Sequence, residues 1–393
     1  MLMAGSVISK YWGVYLNDFM RLMGWNANTN LTFGSFHIDI APIIIVAFFT
    51  TLLVFGTKIG ARVDGAMTVL KIAIVFFVVI VGFFYVKASN FTPFIPPSQP
   101  ASTVEGSSAV TGVMTQPLWQ FATGMTPSVY GVPGILSGAA LVFFAFIGFD
   151  VVATASEETK NPHKNVPLGI GVGMLLIIVM YMLVAVVTTG MVSYADLAKQ
   201  DSPSLATAFE LVGADWAAKI ISFGIVLGLA TVVMVLLLGL TRIVFAMSRD
   251  GLLPRGLSKT GKHGTPAALQ IVVGAVVALV AAFFDIGVLS DMVNIGTLSA
   301  FTLVAISIPI MRKKRPDLPR AFKMPGNPWI PILIAVANFW LMLNLSVLTW
   351  IRFVVWLVVG VAIYFGYGYW HARLGKGDLT ETLSAETDKA VNG

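Results

Sequence analysis

The 393 residues contain no cysteine. That excludes disulfides, thiolate metal ligation and thiol nucleophiles, and it leaves the redox compartment open. Histidine is nearly missing as well: His37, His163, His263 and His371 are scattered over loops and interfaces, so no clustered metal or proton-relay site is expected. Charge is scarce, at 11% of residues against the roughly 25% of a soluble domain. There is no Ser/His/Asp grouping at a common depth and no glycine-rich loop ending in Lys-Ser/Thr, so neither an enzyme nor nucleotide-driven chemistry within this chain is expected, and no cofactor. The net charge of +6 is not gathered into a basic and aromatic patch, so nucleic acid is not an expected partner.

What is present is apolar. Hydrophobic residues make up 57% of the chain, and the mean hydropathy is +0.85. The alternation expected of barrel strands is absent, and helices are the other way to satisfy the backbone in lipid. The fold class is therefore an all-α integral membrane protein, with the lipid bilayer as a partner. Full spans are expected at about 40–56, 66–86, 133–156, 167–191, 217–247, 266–284, 289–310, 330–349 and 353–371. Residues 1–16, ahead of Asn17 and Asp18, read as the second half of a further span. Residues 201–212 read as a short surface helix, and the Ser/Thr/Pro/Gly-rich segment 88–132 as a loop over the outer face.

Orientation follows from the basic residues. Of 25 Lys and Arg, 17 lie in one set of alternate loops and the C-terminal tail, from Lys58 to Lys389, and 5 lie on the other side: Arg21, Lys87, Lys199, Lys219 and Arg352. Lysine and arginine near span ends are retained in the cytoplasm, so the expected location is the cell membrane, multi-pass, with a cytoplasmic C-terminus. Lys10, Lys71 and Arg242 fall inside spans. Lys10 reads as a snorkelling residue near the outer end of its helix, and Arg242 as paired with a carboxylate or carbonyl near the inner face.

One span breaks its own pattern. After the uncharged run from Ser137, Gly148 sits among aromatics, and Asp150 places a carboxylate at membrane depth. Such a group costs several kcal/mol facing lipid, and glycine weakens the helix beside it by roughly 1 kcal/mol relative to alanine. A discontinuous helix lining a polar cavity is expected, where unwound backbone offers its carbonyls and amides to a small ligand.

Four stretches in order then carry a resemblance. They are FFAFIGFD at 143–150 with EETKNP at 157–162 and PLGI at 167–170; RIVFAMSRDGLLP at 242–254 with GTP at 264–266; NIGTL at 294–298; and RKKRPDLPRAFKMP at 312–325. Their order and spacing resemble the amino acid-polyamine-organocation superfamily of transporters, on the branch of bacterial permeases similar to cationic amino acid transporters. The resemblance implies a LeuT-type fold of two inverted five-helix repeats followed by two more helices, an amino acid substrate, and secondary active transport by alternating access. It implies a division into 1–86, the remainder of the first repeat (half of helix three, helices four and five); 87–132, an extracellular loop; 133–310, the second repeat; 311–371, helices eleven and twelve; and 372–393, a cytoplasmic tail. On that alignment the chain lacks the first two helices and part of the third. A non-transporting fragment, or a membrane sensing or binding relic, is the competing expectation.

The resemblance also implies residue roles. The carbonyls of Phe144, Ala145 and Ile147 would accept the substrate ammonium, Gly148 would permit the break, and Phe149 would gate. Asp150 has two readings, substrate contact or an internal ion pair, while Asn294 and Thr297 would face the cavity. Glu157, Glu158, Lys160 and Lys164 would form the inner gate or a solvated helix end. Lys71, about five residues into its span, either snorkels or couples transport to a proton; in the second reading Thr231 is its hydroxyl partner and Ala230 offers no sodium ligand. The proton is therefore the expected coupling ion.

Overall fold

The computed structural model describes residues 1–25, 29–33, 36–56, 61–103, 112–148, 161–200, 203–259, 265–316, 324 and 326–372. The helices, in chain order, are α1 (Leu2–Leu22), α2 (Ile40–Val54), α3 (Ala61–Phe83), α4 (Leu118–Thr123), α5 (Gly131–Val142), α6 (Pro162–Met191), α7 (Tyr194–Ala198), α8 (Leu205–Leu211), α9 (Asp215–Arg249), α10 (Ala267–Phe283), α11 (Ile286–Lys314), α12 (Trp329–Leu343) and α13 (Val347–Ile363). The last continues through a π turn, Tyr364–Gly368, to His371. Two small antiparallel hairpins pair Asn30–Phe33 with Phe36–Asp39 and Gln99–Pro100 with Ser128–Val129.

Among the described residues, five helices are long and apolar enough to cross a membrane: those within α3, α6, α9 and α11, and the one from Val347 to His371. Four shorter apolar helices accompany them. Helix α1 runs on through Asn17 and Asp18 to Leu22, so those residues do not end it as expected. Its first half packs inward, with Ala4, Ser6, Val7, Ser9 and Lys10 buried.

Four helices form the packed centre. Helix α1 lies against α9, and α2 against α10. The first pair is antiparallel: Gly5 lies beside Leu236, and Phe19 rings meet Phe223 at 5.5 Å. The second is antiparallel too, since Gly274 lies beside Thr50 while Thr265 Oγ1 donates to the Val54 carbonyl at 3.1 Å. Gly274 leaves no room for a side chain, because a Cβ there would collide with the Thr50 hydroxyl. Small residues that let backbones approach are the usual way to join helices where lipid offers no hydrophobic drive.

Polar groups join α1 to α10. Ser6 Oγ donates to the Val277 carbonyl at 3.1 Å, and one turn on Lys10 Nζ donates to the Ala281 carbonyl at 3.1 Å. The equal step of four residues on both helices means that they run parallel. Lys10 also forms an ion pair with Asp39, the residue before α2, and its side chain is 9% exposed. It is thus a buried link between three elements and not the snorkelling residue expected. An ammonium at the C-terminal end of α10 is favourable because the last carbonyls of a helix lack partners and carry partial negative charge.

Two boundaries also differ from expectation. The break between the last two spans lies at Asn344–Ser346, not near Arg352, because Ser346 caps α13 by accepting from Thr349 N at 3.2 Å. The expected surface helix begins at Leu205, capped by Ser204, and is not a surface element: Ala206, Ala208 and Phe209 are buried in a core cluster with Val78 and Ile221. The long outer loop carries structure of its own. Leu118 N–H donates to the Leu345 carbonyl at 3.0 Å and Val347 N–H to that of Gln116 at 3.1 Å, which straps the loop to the α12–α13 turn.

Candidate functional site

Helix α5 stops part-way through its span. It ends at Val142, tightens into a 3₁₀ turn over Phe143–Phe146, and leaves helical geometry at Ile147, which is extended at φ −72° and ψ 132°. Gly148 follows at φ +133°, and among the described residues nothing lies within 4 Å of where a Cβ would stand. The glycine is therefore needed for its backbone angle. The break falls where Gly148 led it to be expected. Phe149 and Asp150, the other half of that signal, lie outside the described residues, as do Glu157, Glu158 and Lys160.

A helix end leaves carbonyls without partners, and burial makes each costly unless a donor is supplied. Two side chains from other helices supply donors here. Asn294 Nδ2, on α11, donates to the Leu141 carbonyl at 3.1 Å, and Tyr181 Oη, on α6, donates to the Ala145 carbonyl at 2.8 Å. The Phe144 carbonyl accepts from Ile147 N–H at 3.1 Å, closing the turn. Asn294 is fully buried, and its Oδ1 has no hydrogen-bond partner among the described residues. Tyr181 also meets the Phe146 ring edge-on at 5.2 Å.

The structure thus brings Asn294 to the broken segment. Thr297 lies one turn further along α11 and is partly buried. The side chains of Phe144 and Ile147 pack against a core cluster of Ala4, Val7, Leu236, Leu289 and Val293, so what they offer a ligand is backbone. Lys164 sits in the first turn of α6. Tyr181 was not among the sequence candidates, because nothing in its apolar helix marks the depth at which its hydroxyl meets another chain segment.

Lys71 and Thr231 converge at one glycine. The Lys71 stem lies along Gly228 of α9, where an added Cβ would stand 3.3 Å from Lys71 Cγ. Thr231 Oγ1 donates to the Gly228 carbonyl at 2.8 Å. Lys71 is half-buried in α3 and lies six residues into its apolar span, which starts at Gly65, close to the depth expected. Among the described residues no cluster of His, Cys, Asp or Glu has metal-binding geometry.

The sequence profile of the family described as amino acid permease matches residues 3–367. The branched-chain amino acid permease BcaP of Bacillus subtilis is 39% identical over 383 residues, covering 95% of this chain and 75% of its own length. The methylthioribose transporter of the same organism is 38% identical over 334 residues, covering 85% of this chain and 65% of its own. The vacuolar cationic amino acid transporter 4 of Arabidopsis thaliana is 34% identical over 281 residues, covering 71% and 42%. The chain thus spans less than two thirds of the length of the second and third of these relatives, and all three are permeases or transporters, not enzymes.

Proposed function

This chain belongs to the amino acid permease family of the amino acid-polyamine-organocation superfamily, and from that premise we propose that it carries an amino acid across the cell membrane by proton-coupled symport and alternating access. The observation that carries the reading is the broken α5. Its unwound carbonyls, with the buried Asn294 beside them, form a polar patch among apolar helices. A substrate ammonium would take the free lone pairs of the Phe144, Ala145 and Ile147 carbonyls, which suits a positive group with several N–H donors. Tyr181 already holds one lone pair of Ala145, so it would fix the direction of that carbonyl. Asn294 and Thr297 would line the cavity from α11, and Phe149 and Asp150 would continue the site beyond Gly148.

The pairing of α1 with α9 and of α2 with α10, both antiparallel, supports a LeuT-type inverted repeat, because equivalent helices of two inverted halves pair in that way. The C-terminus would lie in the cytoplasm, on the side of the basic loops. For coupling, Lys71 has its stem against Gly228 of α9, inside the bundle, and its amine is a group able to carry a proton there.

The test is uptake of labelled amino acids, branched-chain and cationic in parallel, into proteoliposomes with an imposed proton gradient. Accumulation that collapses with a protonophore is the expected result. Lys71→Ala is expected to abolish gradient-driven accumulation, and unchanged accumulation by this variant would sink the coupling role. Absence of uptake for every amino acid, by folded and reconstituted protein, would favour a binding or sensing function over transport.

A further inference from the structure

A cavity of about 730 Å³ lies on the face opposite the basic loops, between the first turn of α1 and the ends of α10, α11 and α13. No residue of α5 or α6 lines it, so it is separate from the broken helix. All but two of its lining residues are apolar, among them Val276, Val280, Leu289 and Met292. Three aromatics on its wall, Phe283, Phe284 and Trp356, are more than half exposed, so the cavity opens sideways, where a membrane-spanning bundle meets hydrocarbon. Its size falls in the roughly 300–1,000 Å³ range of sites that hold small molecules.

The two charged residues stand toward one end. Asp285 precedes the first residue of α11, and Arg352 lies five positions into α13, about 8 Å along its axis. Both therefore sit near the membrane interface while the apolar walls extend deeper. Asp285 is at a position where aspartate commonly caps a helix, yet its side chain makes no capping hydrogen bond, and it lines both this cavity and a smaller hollow that holds Lys10 and Asp39. Arg352 shares α13 with Thr349, whose Oγ1 donates to Asp291 Oδ2 of α11 at 3.0 Å. A guanidinium has five donors in a planar fork, which suits the oxygens of a phosphate.

An apolar slot open to the bilayer, with one cation and one anion at its interfacial end, matches a single class of ligand. We propose that this cavity binds one phospholipid with a primary-amine head group, an acyl chain lying among Val276, Val280 and Met292, the phosphate on Arg352 and the ammonium on Asp285. A primary ammonium is specified because it donates hydrogen bonds to a carboxylate, which the quaternary amine of a choline lipid does not.

The test uses the whole chain purified from membranes in mild detergent, with bound phospholipid read by native mass spectrometry and thermal stability read on adding back single lipids. Retention of one phosphatidylethanolamine per chain is expected, with a larger upward shift in melting temperature from that lipid than from phosphatidylcholine or phosphatidylglycerol. Asp285→Asn should erase the preference over phosphatidylcholine, and Arg352→Ala should lower retention several-fold. Val288→Trp, which fills the slot from α11 without altering charge, should lower retention in protein that remains folded. Equal retention of all three lipids, retention unchanged in Val288→Trp, or a dimer that Val288→Trp dissociates with no change in lipid would each overturn the proposal. Retention is measured without transport, so its failure is distinct from failure of the proposed function.

Discussion

The four-helix centre and the broken helix are held by different means. In α1, α2, α9 and α10, glycine allows backbone contact at Gly274, side chains interdigitate around Val46, Val233 and Val277, and Ser6 and Lys10 tie α1 to α10 carbonyls. At the end of α5, two side chains, Asn294 and Tyr181, hold two carbonyls, and no described residue stands within 4 Å of a Cβ at Gly148. The contrast separates a region with no room to rearrange from one whose shape depends on a few donors. For a protein proposed to alternate between two accesses, the first suits a scaffold and the second a part that responds to a ligand.

The largest expected effect comes from filling the scaffold. Gly274→Leu places a side chain where Thr50 stands, and overpacking of this kind costs about 1–3 kcal/mol or more. Loss of folded, monodisperse protein is expected, whereas Gly148→Ala, where no described residue crowds a Cβ, should fold and lose uptake. A Gly274→Leu variant as stable as the parent in thermal unfolding would break the comparison.

Removing the buried cation comes next. Lys10→Met leaves the Asp39 carboxylate without its partner, and breaking a buried pair costs about 3 kcal/mol at the lower end of the usual range, suited here because Asp39 is partly exposed. Thermal unfolding in detergent should show the loss, and the double variant Lys10→Met with Asp39→Leu should recover most of it.

At the break, Asn294→Ala removes the donor to Leu141 and is expected to cost about 1–2 kcal/mol in stability while raising the KM for uptake. Stability lost with KM unchanged would make Asn294 a packing residue alone. The smallest effect is expected at the exposed end of α1, where Arg21 holds Glu210 through two contacts of 2.8 Å. Exposed ion pairs contribute little, so Arg21→Ala should cost less than about 1 kcal/mol, and less again in high salt.

Composition alone established a helical membrane protein, because a backbone in hydrocarbon has few ways to satisfy its own polar groups. Gly148 marked the break in α5, since a glycine among aromatics points to a backbone need rather than a packing one. Asn294 stood out in its motif as a residue expected to face the cavity, and the structure adds its bond to the Leu141 carbonyl. Lys10 was misread because the acid that neutralises it, Asp39, is 29 positions away in the chain, and α10, which supplies the carbonyl, is more than 250 away. Tyr181 and the Asp285–Arg352 pair carried no local signal. Local sequence determines where a helix forms, weakens or stops, because those depend on neighbours within a few residues. Which donor meets which orphan carbonyl, and which charges close one cavity, was decided only when distant helices packed, since both depend on the rotation and depth of one helix against another.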